Sequence, residues 1–130
     1  MKWGFPARIL MDKFTRVKEA LQNNLKNMYE LTKPMFDGLR PEYLKEGLTD
    51  RQIAEAILDN VFELHNIDKD YNYGLYNACR ALLCVEGLKL SDITLIMHSE
   101  NDEVTSADYT FPDWVSDEYV GQSRLELDNK

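Results

Sequence analysis

The residues best suited to chemistry lie in the middle of the chain. Asp68, Asp70 and Asn72 have the one-three-five spacing of a calcium-binding loop. Such a loop also needs Gly at its sixth position and a bidentate Glu at its twelfth. Tyr73 and Cys79 stand at those positions, and Gly74 comes one residue late. The segment therefore reads as an Asx-rich turn feeding a helix. Cys79 and Cys84 are five residues apart. On a helix that separates them by about 140°, too far for an unstrained disulfide. The spacing is not that of a zinc pair either, so both read as buried thiols acting as small hydrophobes. His65 and His98 are the two histidines. Only the fold could gather them with Asp68, Asp70 or a cysteine into a metal site.

Nucleophile arrangements are missing as well. There is no Gly-x-Ser-x-Gly, no phosphate-cradling glycine loop and no Cys-His spacing of a known kind. Carboxylates abound, but in an acidic chain their abundance does not identify a general acid. The expectation is a protein that is not an enzyme and carries no metal and no cofactor.

Charge is more informative. The chain has 130 residues and a net charge of −8. Residues 1–91 hold 13 basic and 13 acidic side chains, whereas residues 92–130 hold ten acids against Arg124 and Lys130. The whole excess lies in the last third. A field of that sign repels nucleic acid and steers toward basic partners. The acidic segment also contains aromatic and branched side chains, which a disordered acidic tail lacks. Carboxylates around aromatic anchors suit a contact surface for a cationic partner, with apolar area for affinity and charge for steering. The residues assigned to steering are Glu100, Asp102, Glu103, Asp108, Asp113, Asp117 and Glu118. Those assigned to anchoring are Tyr109, Trp114 and Tyr119, with both tyrosines expected at the surface.

Elements must position these groups. Phe14, Val17, Leu21, Leu25, Met28 and Leu31 recur at helical spacing from about Asp12 to Leu31, and Pro34 predicts a break. Trp3 and Phe5 read as pinned to the core. Pro41 predicts a short helix over Glu42 to Lys45, ended at Gly47. Thr49 with Gln52 has the capping-box pattern, followed by the stripe Ile53, Ile57, Val61, Leu64. Leu75 to Glu86 is apolar nearly all round and reads as a buried central helix stopped by Gly87. Residues 88–98 suit a helix capped by Ser91 or a strand; with no clear second strand, a helix is expected. Pro112 and Gly121 suggest the first turn and C-cap of a last helix, and residues 122–130 read as a frayed end.

Leu48-Thr49-Asp50-Arg51-Gln52-Ile53-Ala54 resembles the opening of the first helix in helix-turn-helix DNA-binding domains. The resemblance covers seven residues and implies a short Gly-containing turn and a polar recognition helix. Instead the helical pattern runs through Glu63, and the next helix carries one base, Arg80. Residues 1–91 also lack the basic surplus that phosphate contacts require.

The fold expected is mainly α: a compact bundle of four or five helices, with room for a small irregular or β-hairpin element near 93–111. One domain spans 1–130, with a charge-neutral helical core over 1–91 and the acidic, aromatic-containing segment 92–130 packed on it. No run approaches the length of a membrane span, and the first residues lack the apolar stretch of a secretory signal, so a cytoplasmic protein is expected. The function expected is a non-catalytic acidic protein that inhibits a basic, nucleic-acid-handling partner. A phage anti-defence inhibitor of the anti-CRISPR-like kind and an immunity protein are both of this type. A second reading is a structural helical subunit, with the stripes of 12–31 and 49–64 buried against other copies. A third is a small metal-dependent enzyme using His65, His98, Asp68 and Asp70.

Overall fold

The computed structural model describes residues 4–127, and Trp3 lies outside that range. The fold is mainly helical, as expected, but the hairpin allowed near 93–111 is part of a sheet that is more than a minor element. Helices dominate, but one of their layers packs on a three-stranded antiparallel sheet. No helix among the described residues is long and apolar enough to cross a membrane.

Helix α1 spans Gly4–Lys45, passing through Pro34, expected to break it, and through Pro41, expected to open a separate short helix. The reason lies in which face they occupy. Each proline removes one N–H and frees the carbonyl four residues earlier. Pro34 and Pro41 are seven residues apart, so they fall on the same stripe, and both are exposed, as are Glu30 and Asp37. The freed carbonyls thus belong to exposed residues, where solvent can meet them. Thr32, just before Pro34, and Phe36, between the two prolines, are both buried and hold this stretch on the core. Pro6 stands in the first turn, where its missing N–H costs nothing.

Helix α2, Asp50–Leu64, starts with the capping box intact: Gln52 N donates to Thr49 Oγ1 at 3.1 Å, and Thr49 N donates to Gln52 Oε1 at 2.9 Å. Helix α3, Tyr73–Cys84, is buried from Gly74 to Leu83, as a helix apolar nearly all round must be. It stops at Cys84 rather than Glu86. Most of the stripes of α1 and α2 is used internally: Leu21, Leu25, Met28, Ile53, Ile57 and Val61 share one core with α3 and the sheet, whereas Leu31 and Leu64 stay exposed.

Residues 88–98 are not a helix. After one 3-10 turn at Leu90–Asp92 comes strand β1, Thr94–Glu100, paired antiparallel with β2, Glu103–Thr110. The partner strand is hard to see in sequence because Thr105, Ser106 and Asp108 interrupt its apolar pattern. The hairpin turns on Asn101 and Asp102, with φ of 51° and 64°. Asn and Asp adopt left-handed backbone at low cost, and two such residues give the tight turn that matches strand twist. Between His98 and Ser99 the register moves from Ser106 to Val104, so Thr105 is an extra residue in β2. That bulge switches faces and turns Val104 inward.

Strand β3, Arg124–Glu126, adds to the other side of β2. The end of the chain is therefore ordered at least through Leu127, against the expected fraying; residues 128–130 lie outside the described range. β3 crosses α3 at Gly74, where a Cβ would collide with the carbonyl oxygen of Ser123. Only glycine permits that approach. The inner face of the sheet, with Leu95, Ala107, Tyr109 and Leu125, packs on the helices. The outer face carries Thr94, Ile96, His98, Asp108 and Arg124. The last helix, α4, is one turn, Asp117–Val120, capped by Ser116 and ended at Gly121. Pro112 precedes it in an irregular turn instead of opening it.

Candidate functional site

The structure divides the acidic segment in two. Glu100, Asp102 and Glu103 stand at the hairpin tip. Asp113, Asp117 and Glu118 stand around α4, beyond the far end of β2. The eight residues of β2 separate the clusters by about 23 Å at the usual strand rise. Asp108 belongs to neither. It lies on the outer sheet face with its Oδ2 2.7 Å from His98 Nε2. Glu103 pairs with Lys13 at 3.5 Å. Glu100, Asp102, Asp113 and Asp117 have no cation within ion-pair distance among the described residues.

The aromatic residues also divide, and two expectations are corrected. Tyr109 is buried, not exposed. It is on the inward phase of β2, and its hydroxyl donates to the Leu21 carbonyl of α1 at 2.7 Å. Tyr119 is buried too, on the side of α4 that faces α3. Trp114 is the exposed one, at 57%, with Val120, the last residue of α4, at 45%. The α4 end therefore presents an indole and a valine among Asp113, Asp117 and Glu118, which is apolar area ringed by charge.

A buried polar network supports this end from below. Arg80 is 1% exposed, in the middle of α3. Its Nη1 donates to Glu55 Oε2 at 2.6 Å, and its Nη2 donates to Asn77 Oδ1 at 3.1 Å and to the Tyr73 hydroxyl at 3.3 Å. The guanidinium also lies 5.3 Å from the ring of Tyr76 and 5.8 Å from that of Tyr119. Arg80 Nε has no hydrogen-bond partner among the described residues. Asn77 Nδ2 donates to the Tyr119 carbonyl at 2.6 Å, fixing α4 to α3. Arg51 completes the mount. It bridges Glu55 at 3.4 Å and Glu118 at 2.8 Å and lies 5.4 Å from the Tyr119 ring.

Sequence reasoning passed over Arg51, Glu55, Asn77 and Arg80 as functional residues. A signal was present. Asn77 and Arg80 are three apart in an otherwise apolar helix, and buried polar groups must find partners.

The groups in and near this network are held in their protonated forms. Burial pushes the Tyr119 phenol up to about 12 and the Cys84 thiol up to about 11. Burial likewise raises Cys79 to about 12, although its Sγ lies 3.3 Å from Thr32 Oγ1. None is a thiolate or phenolate near neutral pH, so none is an activated nucleophile.

The Asp68 loop is a turn built on its own carboxylate, since Asp68 Oδ1 accepts from Asp70 N at 2.9 Å and from Tyr71 N at 3.4 Å. His65 lies at the end of α2 and His98 on the outer sheet face. Among the described residues no three His, Cys, Asp or Glu side chains are grouped so as to hold a metal. The arrangement at α4 can do recognition: it offers an exposed ring, unpaired carboxylates and a rigid base. No protein-family model, curated protein or solved structure matches the chain.

Proposed function

We propose that the protein is a non-catalytic binding protein whose α4 end docks on a basic, nucleic-acid-handling protein in the cytoplasm and inhibits it. The observation that carries this reading is Trp114, 57% exposed between the unpaired carboxylates of Asp113 and Asp117 on a buried mount. Carboxylates placed where a partner binds phosphates steer the encounter, and the indole supplies desolvated area once docked. Rigidity helps, because a preorganised surface loses little entropy on binding. Such a protein acts by occupancy, as a phage anti-defence inhibitor or an immunity protein does. Glu100, Asp102 and Glu103 add long-range charge but lie too far away to share one small footprint.

The test compares the wild-type protein with D113K/D117K/E118K as baits in bacterial extract, eluted by a salt gradient and read by mass spectrometry. The expected result is a nucleic-acid-binding protein retained by the wild type, released at moderate salt and lost by the variant. Added wild-type protein should then displace nucleic acid from it. Identical captures by both baits would overturn the reading.

A further inference from the structure

The sheet has two edges, and they differ. β3 contributes three residues, whereas β1 contributes seven and pairs only with β2. Alternate residues of an antiparallel strand direct N–H and C=O away from their partner. Among the described residues no backbone group bonds to that outer edge of β1. Proteins usually guard such an edge with Lys, Pro, a bulge or a covering element. β1 reads Thr-Leu-Ile-Met-His-Ser-Glu, without Lys or Pro, and the bulge residue Thr105 sits in β2. Ile96 is 53% exposed on it.

Beside this edge the space between α1 and the sheet opens as a groove of 640 Å³, floored by Leu25, Ile93, Leu95 and Tyr109. Lys26 and Lys89 line it, and neither has an ion-pair partner among the described residues. The two lysines mark the Ile93 end of β1. The opposite end carries Glu100 and Asp102, also unpaired. Asp92 also stands at the first end, and Lys13, paired with Glu103, at the second, so the charge excess is basic at one end of the strand and acidic at the other.

We infer that this edge is a homodimer interface, in which β1 of one copy pairs antiparallel with β1 of a second copy. The charge pattern selects that occupant. Antiparallel pairing about a two-fold axis sets the acidic end of each strand against the lysine end of the other, so every attraction occurs twice. It continues the sheet to six strands and satisfies the open backbone groups. It also brings the outward Ile96 side chains onto one shared face and closes the groove over Leu25 and Leu95. The interface is separate from the α4 end, so it stands or falls independently of the proposed partner.

Two charge-reversed variants of the whole chain test it, K26E/K89E and E100K/D102K, by sedimentation equilibrium across a concentration series. Circular dichroism shows whether each has folded. The wild type should pass from one to two chain masses as concentration rises. Each variant alone should dimerise at least about tenfold more weakly, because attractive contacts become repulsive. An equimolar mixture should recover dimer, since one variant is acidic at both ends and the other basic at both. I96K, which places a guarding lysine on the edge, should also weaken the dimer. A wild type that stays monomeric, or a dimer indifferent to both reversals, or a mixture that recovers nothing, overturns the inference.

Discussion

The two acidic clusters of this chain have similar charge and different support. At the hairpin tip the carboxylates ride on Asn101 and Asp102, with no exposed large aromatic of the hairpin itself among the described residues. At α4 they surround Trp114 and Val120 and are tied down by Asn77, Arg51 and, beneath them, Arg80. Charge in water at either place is worth little in a static contact. Charge beside an apolar anchor on a fixed base can set both encounter rate and residence. The difference between the clusters is therefore one of mounting rather than of sign.

The most severe way to break that contrast is Arg80→Ala. It removes one partner of a buried ion pair and leaves a void among three tyrosines, so a loss of about 3–5 kcal/mol is expected by urea unfolding. Amide exchange should rise in α4 and much less at Asn101–Asp102. Gly74→Ala should cost about 1–3 kcal/mol, because β3 has to move away from α3. A retained melting temperature there would mean the crossing is looser than described. Asn101→Val, a branched residue in left-handed backbone, should cost about 1–2 kcal/mol. Its effect should stay at the tip and leave capture through α4 untouched. Trp114→Ala should change stability by less than about 0.5 kcal/mol, as an exposed side chain does. It should nonetheless weaken partner binding by about 2 kcal/mol, which separates a recognition residue from a supporting one.

The pH dependence sharpens the same contrast from the buried side. Tyr119 is raised from 10.0 to about 12, and Cys84 from 9.0 to about 11. A group whose pKa is higher in the folded state stabilises fully below its unfolded value and loses that contribution as pH rises through the folded one. The α4 mount should therefore hold up to about pH 9 and weaken between about pH 9 and 12. The tip has no buried acid of this kind. Tyrosine absorbance against pH, taken as the difference between the wild type and Y119F among the seven tyrosines, reads the Tyr119 shift.

Legibility in the sequence followed how local the cause was. The capping box of α2 was readable because Thr49 and Gln52 satisfy each other within one turn. The burial of α3 was readable because its residues are apolar around the full circumference. Pro34 and Pro41 misled because their effect depends on which face they occupy, and that is set by Thr32 and Phe36 meeting the core. β1 misled because its partner is disguised by polar residues that face outward or sit at the bulge. The candidate site was half legible. Its acids and Trp114 could be named, but the orientation of Tyr109 and Tyr119 was decided by distant contacts with Leu21 and α3.

The crossing at Gly74 has a consequence in time. Ser123 and Arg124 are among the last described residues to leave a ribosome, yet they close over the start of α3. Until α4 itself has arrived, the tyrosine-lined bed of Arg80 has no Tyr119 above it and no Asn77 link to α4. The three long helices can collapse early, because their contacts are nearer in sequence. The proposed docking surface, by contrast, comes into being later, when the segment around α4 folds back on α3. A nascent or truncated chain should therefore be compact before it is competent to bind.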